Sequence, residues 1–282
     1  MDKNKQQILS SGLYLVSTPI GNMEDITLRA LNVLKKSNLV LCEDTRRSGM
    51  LLSYFKITNK LLSYHKFNEK RASQKIVDAV KNGQIISLIS DAGTPTISDP
   101  GLILINKCIQ ENLPVFPIPG SSAVTAAISV SGFGEKYLFY GFLPKKENEL
   151  NKVLKNLTNL NYPIVFFLSN SKINFFISKF KEYFFDRKIL IAKEMTKLHE
   201  KFIWSEVSSL KTMPEVVKGE FTVVLSEQIM KKNVKKEINE SVKIEINKML
   251  KKYSHKDVVE FISKKESLSK KIVYDYCLKF KK

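Results

Sequence analysis

The chain has 282 residues, of which 43% are hydrophobic and 26% charged, so it can form the cores of one large or two ordinary domains. No apolar run approaches the length of a membrane span, and the opening MDKNKQQ lacks the apolar segment of a signal peptide. Cys42, Cys108 and Cys277 are too far apart for a disulfide framework or a Cys-x-x-Cys zinc site, which predicts a reducing, cytoplasmic location.

The first half of the chain alternates short apolar segments with amphipathic ones. The predicted strands are 13–17, 39–42, 61–64, 85–89 and 115–118. A helix capped by Asp25 or Thr27 should place Leu28, Leu31 and Leu34 on one side. The further helices are expected around 76–80, at 102–111 and at 123–131. This alternation predicts a parallel sheet with helices on both faces.

The second half continues as α/β and then changes character. The predicted strands are 137–143, 164–168, 188–192 and 221–225, and the predicted helices are 148–160, 173–183 and 208–213. Three basic helices should follow at about 237–252, 255–263 and 269–280, with Ser269 as an N-cap. We therefore predict α/β domains at 1–120 and 121–228 and a basic helical region at 229–282.

Charge is concentrated in that last region. The whole chain carries +18, and residues 229–282 hold 16 Lys against 7 Asp or Glu, which is half of the excess. Such charge favours a polyanionic partner, namely nucleic acid, an anionic membrane or a poly-carboxylate. A Lys-rich composition without function explains the total charge equally well, but it explains a local excess less well.

One loop stands out, the sequence SDAGTPTISDPG at 90–101. It follows the apolar run 85–89 and holds two Gly, two Pro and two Asp in twelve positions. Glycine allows positive φ and close approach of a ligand, and proline stiffens a loop. Loops at the carboxyl end of parallel strands bind ligands in open α/β folds, so we interpret this one as a ligand loop rather than an ordinary turn. No G-x-G-x-x-G fingerprint is present, so several separate loops must build the site.

Four blocks in order carry a family resemblance: TPIGNMEDITLRA (18–30), CEDTRRSG (42–49), SDAGTPTISDPG (90–101) and IPGSSA (118–123). Together with GFLPKK (141–146), KEMTKLHE (193–200), KGEFTVVL (218–225) and LSKKIVYDYCL (268–278), they resemble the tetrapyrrole-methylase superfamily. Within it the chain is most similar to the ribosomal RNA small subunit methyltransferase I family. The resemblance covers nearly the whole chain.

The resemblance implies a fold, a reaction and partners. The fold would be the two-domain class III methyltransferase α/β fold, with S-adenosyl-L-methionine in a cleft between the domains and a small C-terminal helical region. The reaction would be 2′-O-methylation of a cytidine ribose in the decoding region of 16S rRNA. The partners would be 16S rRNA or the small ribosomal subunit, with no membrane, and the chain would form a homodimer.

The resemblance also assigns cofactor residues, and the chemistry of the remaining side chains suggests bases and RNA contacts. The implied cofactor contacts are Pro19, Gly21, Asp91, Ala92, Gly93, Thr94, Ser121, Ser122, Ala123, Ala192 and Gly219. The candidate bases are carboxylates at strand ends, Glu43, Asp44 and Asp25, and the choice among them stays open. Six basic residues are candidate RNA contacts: Arg29, Arg46, Arg47, Lys197, Lys270 and Lys271. No metal is expected, because no His and Cys stand at ligand spacing.

Two departures from the family pattern stand out. Ser121 replaces the second proline of the usual Pro-Gly-Pro, and 167–172 reads FLSNSK where the family usually has Tyr-Glu-Ser-Pro-His-Arg. The Glu, His and Arg of that block are therefore missing. Two alternatives remain open: a superfamily methylase acting on a tetrapyrrole or another small acceptor, and a non-catalytic, ribosome-binding relative.

Overall fold

The computed structural model describes residues 9–214, 219–228, 238–266 and 268–279. The chain divides into two compact units, Met1–Gln228 and Ile229–Lys282, and each is described by itself. Within the described ranges, no helix is long and apolar enough to cross a membrane. Lys218 of the predicted KGEFTVVL block lies outside the described residues.

The first unit begins with a five-stranded sheet in the order β3-β2-β4-β1-β5, and all of its pairings are parallel. Its strands are β1 (Gly12–Val16), β2 (Leu39–Cys42), β3 (Leu61–Ser63), β4 (Ile85–Ile89) and β5 (Val115–Ile118). The helices that follow these five strands in turn are α1 (Leu28–Lys36), α2 (Thr45–Tyr54), α3 (Glu69–Lys81), α4 (Leu102–Gln110) and α5 (Ala123–Ser131). The predicted parallel sheet is therefore confirmed.

Local sequence explains the first helix only in part. Thr27 is the N-cap, since its hydroxyl accepts a hydrogen bond from the Ala30 N–H at 3.0 Å. The predicted apolar side is confirmed for Leu34, which is buried, and for Leu31, which packs partly buried against the same core, but not for Leu28. Leu28 is 86% exposed because it stands in the first turn, while Ala30, Val33 and Leu34 form the buried stripe.

The second sheet has the order β6-β7-β10-β8-β9 and mixes parallel with antiparallel pairs. Its strands are β6 (Leu138–Phe142), β7 (Ile164–Ser169), β8 (Arg187–Lys193), β9 (Lys201–Glu206) and β10 (Glu220–Gln228). The helices α6 (Glu147–Thr158) and α7 (Ile173–Tyr183) pack on one of its faces through a cluster rich in Phe and Leu. The other face packs with α5, through Val124 and Ala127.

Two sequence predictions fail in this region. The expected helix at 208–213 is a single turn, because the Asn174 side chain binds both the N–H and the C=O of Met213 and gives that backbone partners outside a helix. The strand β9 was not predicted. It is an edge strand that is partly exposed on both faces, so its alternation of apolar and polar residues is weak.

A fully buried Arg187 begins β8 and holds several chain segments together. Its guanidinium donates to the backbone carbonyls of Tyr162 (3.1 Å), Ser226 (2.9 Å), Thr158 (3.4 Å) and Leu160. Burial lowers the pKa of this guanidinium, and the neighbouring acidic residues Asp186 and Glu227 oppose that shift. Arg187 thus closes the C-terminal end of α6 against the sheet.

The second unit contains three helices, α8 (Glu240–Leu250), α9 (His255–Lys265) and α10 (Lys270–Leu278). They share a hydrophobic cluster of their own that includes Ile246, Ile262 and Val273. Each helix starts at a side-chain cap, and the predicted cap is confirmed because Ser269 Oγ accepts from the Ile272 N–H. The three predicted basic helices are therefore present.

Candidate functional site

The loop 90–101 leaves β4, the central strand of the first sheet, and is fastened to the loop after β1. Thr18 and Gly93 exchange two backbone hydrogen bonds, of 2.9 and 3.0 Å. Thr18 Oγ1 also donates to the Ser90 carbonyl at 3.1 Å. Gly93 has φ +84°, and a Cβ there would stand 3.2 Å from Ile20 Cγ2. Glycine is therefore required here both by backbone conformation and by crowding.

The same loop contains two strained residues that are not glycine. Thr96 and Ser98 have φ of +69° and +78°. Such conformations cost an L-residue about 1–3 kcal/mol and cluster at functional sites, where the surrounding structure holds them in place. The strain indicates that the shape of this loop is fixed for a purpose other than stability.

A third loop, 119–122, contacts both the 90–101 loop and the segment before α1. Thr94 Oγ1 donates to the Ser121 carbonyl at 3.1 Å, and Ser121 Oγ donates to the Asp25 carbonyl at 3.2 Å. The helix α5 then begins at Ala123, and its N-cap Ser122 makes no side-chain hydrogen bond to the helix. The N–H groups of the first turn therefore lack a side-chain cap and can donate hydrogen bonds to a negatively charged group.

These loops surround a cavity of about 250 Å³, slightly below the roughly 300–1,000 Å³ of typical ligand pockets. It lies between the carboxyl edge of the first sheet and strands of the second. The predicted site residues that line it are Arg47, Asp91, Ala92, Gly93, Thr94, Ser122 and Ala123. Seven of the predicted residues, from three separate loops or helix starts, thus meet at one place.

Much of the lining was not predicted as site residues. Glu220, which adjoins the predicted Gly219, is a weaker sequence candidate, and the residues that were not predicted are Ile20, Ile97, Ser98, Asp99, Val124, Phe142, Phe167, Leu168, Phe221 and Thr222. The rings of Phe142 and Phe167 lie 5.4 Å apart and form an aromatic wall. Asp99 could have been found from its place in the 90–101 loop. The aromatic residues carry no such signal, because they look like ordinary sheet residues.

Three carboxylates face the cavity, and their surroundings differ. Asp91 forms a salt bridge with Arg47 at 3.5 Å and accepts a hydrogen bond from the Asp44 N–H at 3.3 Å. Glu220 is mostly exposed and pairs with Lys197 at 2.9 Å. Asp99 has no ion pair among the described residues. Burial, together with the charges of Glu43 and Asp91, raises the pKa of Asp99 to about 6.

None of the three predicted bases lines the cavity. Asp44 is the N-cap of α2, and its hydrogen bonds from Arg46 hold the pKa of its carboxyl well below the usual range. Glu43 is partly buried, and burial raises the pKa of its carboxyl, as does the charge of Asp91. Asp25 is exposed in a short 3-10 turn. Their assignment as bases stays a prediction.

The remaining predicted cofactor residues stand behind or beside the lining. Pro19 is buried next to the Thr18 bridge, and Ala192 is buried in β8, where it pairs with Thr222. Gly21 packs against the turn 195–197, since a Cβ there would approach Lys197 Cγ to 2.5 Å. Gly219 adjoins Glu194. These residues therefore lie behind the residues that line the cavity and do not line it themselves.

The predicted RNA contacts fall in different places. Arg46 and Arg47 are exposed at the start of α2, close to the cavity, and Arg29 is exposed on α1. Lys197 binds Glu194 and Glu220 at 3.0 and 2.9 Å, which leaves it less free for phosphate. The two remaining residues, Lys270 and Lys271, are exposed at the start of α10 in the second unit.

The unusual block 167–172 begins at the cavity. Phe167 and Leu168 line the cavity, Ser169 ends β7 opposite Glu220, and Asn170–Lys172 forms a 3-10 turn. Lys172 Nζ donates to the Lys145 carbonyl at 3.2 Å, next to the exposed Lys146. Lys172 thus keeps a positive charge at the sequence position where the family pattern has Arg, next to the exposed Lys145 and Lys146. Among the described residues, no group of three or more His, Cys, Asp or Glu side chains is arranged to hold a metal ion.

Comparison with known proteins agrees with this geometry. The sequence profile of the family described as Tetrapyrrole (Corrin/Porphyrin) Methylases matches residues 12–211. The chain is 45% identical to Ribosomal RNA small subunit methyltransferase I of Thermotoga maritima over 76% of this chain and 97% of that protein. It is 34% identical to the protein of that name from Neisseria meningitidis serogroup B, over 100% of this chain and 98% of that protein.

Solved structures agree in fold. Diphthine synthase superposes with a TM-score of 0.60 at 14% identity, covering 76% of this chain and 89% of that one. Uroporphyrin-III C-methyltransferase from Thermus thermophilus, complexed with S-adenosyl homocysteine, gives 0.53 at 15% identity, with 77% and 97% covered. The predicted class III methyltransferase fold is confirmed. From the sequence matches it follows that the chain belongs to the tetrapyrrole methylases and, among them, to the ribosomal RNA small subunit methyltransferase I family.

Proposed function

We propose that this chain transfers the methyl group of S-adenosyl-L-methionine to the 2′-oxygen of a cytidine ribose in the decoding region of 16S rRNA. One observation carries the proposal: in a member of this family, the loops that the sequence assigned to the cofactor surround one cavity at the carboxyl edge of a parallel sheet. We also propose that the residues lining this cavity, with the supporting glycines, form the cofactor site.

The cavity suits the chemical parts of the cofactor. The first turn of α5 lacks a side-chain cap and suits a carboxylate, and the exposed Ala92 beside Gly93 offers backbone that suits hydroxyl and amino groups. The rings of Phe142 and Phe167 offer a face for a planar base. When bound, the cofactor supplies an electrophilic methyl group on a sulfonium with a good leaving group. The main task of the protein is therefore to orient the ribose hydroxyl toward that methyl group.

A base for the ribose hydroxyl would add to the rate, and Asp99 fits that role better than the three carboxylates predicted from the sequence. It lines the cavity, whereas Glu43, Asp44 and Asp25 do not. Its pKa of about 6 leaves it ionised at neutral pH and more basic than an ordinary Asp. Asp91, bound to Arg47, is better suited to holding the loop in place.

The test combines product mapping with variants. Purified protein, labelled cofactor and small-subunit particles from a strain without this activity should yield one 2′-O-methylated cytidine. Asp99→Asn should lower kcat by about 10²- to 10⁴-fold, the usual contribution of a general base, with cofactor affinity retained. In the wild type, kcat should fall about tenfold per pH unit below pH 6.

The matched control is Asp44→Asn, which removes a carboxylate near the cavity that does not line it. We expect kcat of this variant to stay within about tenfold of the wild type. Methyl transfer to a nucleobase instead of the ribose would contradict the proposed function, and so would the absence of any methyl transfer to RNA. An unchanged kcat in Asp99→Asn would contradict only the role of Asp99.

A further inference from the structure

The turn between β3 and α3 presents an aromatic ring to solvent. Phe67 is 96% exposed, the highest exposed fraction among the large hydrophobic side chains of the described residues. Exposing a phenylalanine forgoes the stabilisation that burial of such a side chain contributes. A single exposed apolar residue needs no explanation by itself, so the inference depends on what surrounds it.

The turn is held rigidly in the conformation that exposes the ring. The Phe67 N–H donates to His65 Nδ1 at 3.2 Å, and the His65 and Phe67 rings lie edge to face with centroids 5.9 Å apart. The Asn68 side chain accepts the His65 N–H at 2.9 Å and donates to the Ser63 carbonyl at 2.9 Å. Phe67 is thus fixed outward by its neighbours, and binding to its face costs little ordering entropy.

Three basic residues flank Phe67 in the sequence. Lys66, Lys70 and Arg71 are exposed, and none of them forms an ion pair with an acidic side chain in the described ranges. The acidic residue between them, Glu69, is partly buried and accepts the Gly101 N–H at 3.3 Å. The surface formed by Lys66, Phe67, Lys70 and Arg71 therefore combines an aromatic face with free cationic groups.

This surface adjoins the cavity. β3 pairs with β2, and the Tyr64 N–H extends that pairing by donating to the Cys42 carbonyl at 2.8 Å. The turn after β2 leads into α2, whose first turn supplies Arg47 to the cavity. The hydrogen bond from the Gly101 N–H to Glu69 ties the start of α3 to the 90–101 loop. Both turns leave the same edge of a parallel sheet. A chain that enters the cavity can therefore continue across this surface.

We infer that the surface of Lys66, Phe67, Lys70 and Arg71 binds a single-stranded segment of the RNA substrate next to the methylated nucleotide. The inference rests on the proposed function. One base would stack on the Phe67 ring, and the ammonium and guanidinium groups would contact the flanking phosphates. An aromatic side chain among cationic groups is how proteins bind single strands without reading their sequence. A flat apolar protein partner would leave these three charges without a role.

The test measures RNA binding without turnover. A fluorescein-labelled, unstructured RNA of about 12 nucleotides is titrated at low salt and followed by anisotropy. Phe67→Ala should weaken binding by about 5- to 100-fold, and Phe67→Tyr, which keeps the ring, should stay within about threefold. Phe185→Ala is the matched control, because it removes an exposed phenylalanine between α7 and β8. Melting temperature and cofactor affinity should be unchanged in all three variants.

Several outcomes would overturn the inference. These are equal affinities for Phe67→Ala and Phe185→Ala, and no measurable RNA binding by the wild type. Weaker binding to small-subunit particles with unchanged binding to the oligonucleotide would instead assign the surface to a protein partner. The assay uses no methyl transfer, so RNA binding through Phe67 without methylation would contradict only the proposed function.

Discussion

The two sheets of the first unit contribute to the cavity in different ways. The first sheet is entirely parallel, so the carboxyl ends of its strands meet at one edge, and their loops supply backbone and short polar side chains. The second sheet mixes directions and supplies strand side chains instead, such as Phe142, Phe167 and Thr222. One sheet thus forms the precise, glycine-dependent part of the site, and the other forms a wall.

This difference predicts that substitutions in the two sheets fail in different ways. In the second sheet the sensitive positions should be those that hold strands and helices together, and their loss should reduce stability. In the first sheet the sensitive positions should lie in loops, and their loss should reduce ligand affinity beyond any effect on stability.

The largest effect is expected in the second sheet, for Arg187→Ala. The substitution removes the guanidinium donor from the carbonyl of Ser226, which is buried, and from those of Leu160 and Tyr162, which are partly buried. Each unsatisfied buried group costs about 1–3 kcal/mol, so the free energy of unfolding should fall by about 3–5 kcal/mol. Urea denaturation measures it, with the exposed neighbour Lys188→Ala as a control expected within about 0.5 kcal/mol. A loss below 1 kcal/mol would show that water replaces the guanidinium.

The next effect separates backbone strain from ligand contact in the first sheet. Gly93 and Gly83 have the same φ, +84°, but a Cβ at Gly83 would meet nothing within 4 Å. Gly83→Ala should therefore cost only the strain, about 1–2 kcal/mol of stability, with cofactor affinity unchanged. Gly93→Ala should cost about 2 kcal/mol and also weaken cofactor binding at least tenfold in calorimetry. Equal affinity in the two variants would remove Gly93 from the proposed site.

The smallest effect concerns Asp99 and pH. Its pKa of about 6 in the folded chain lies above the roughly 3.9 of an unfolded Asp, so the folded state binds the proton more tightly. Stability therefore falls as pH rises from about 4 to 6. Asp99→Asn should be more stable than the wild type above pH 6, by about 1 kcal/mol after allowance for partial exposure, and equal to it below pH 4. A difference independent of pH would contradict the raised pKa.

The loops of the first sheet could be predicted because their chemistry is local. Gly93, Pro95 and Pro100 mark a rigid loop in the sequence. The alternation of strands and helices places that loop at the edge of a parallel sheet. The wall could not be predicted in the same way. Phe142 and Phe167 read as ordinary strand residues, and only the pairing of β6 with β7 brings their rings together.

Two further features that sequence periodicity does not describe have related causes. Asp44 carries a strong charge signal, but the same geometry that makes it an N-cap turns its carboxylate toward Arg46 and away from the cavity lining. The helix expected at 208–213 was lost to Asn174, a side chain more than thirty residues earlier in the chain. Sequence periodicity describes neighbours along the chain, and these outcomes depend on contacts between distant segments.

The cavity draws its lining from Ile20 to Thr222, and this span links occupancy to folding. A ligand that needs both sheets cannot bind a chain in which either sheet is unfolded. Its binding free energy is therefore added to the cooperative stability of the whole first unit. At a ligand concentration one hundred times Kd the gain is about 2.7 kcal/mol. A rise in melting temperature with added cofactor or its product then reports binding in any variant, without RNA and without measuring turnover.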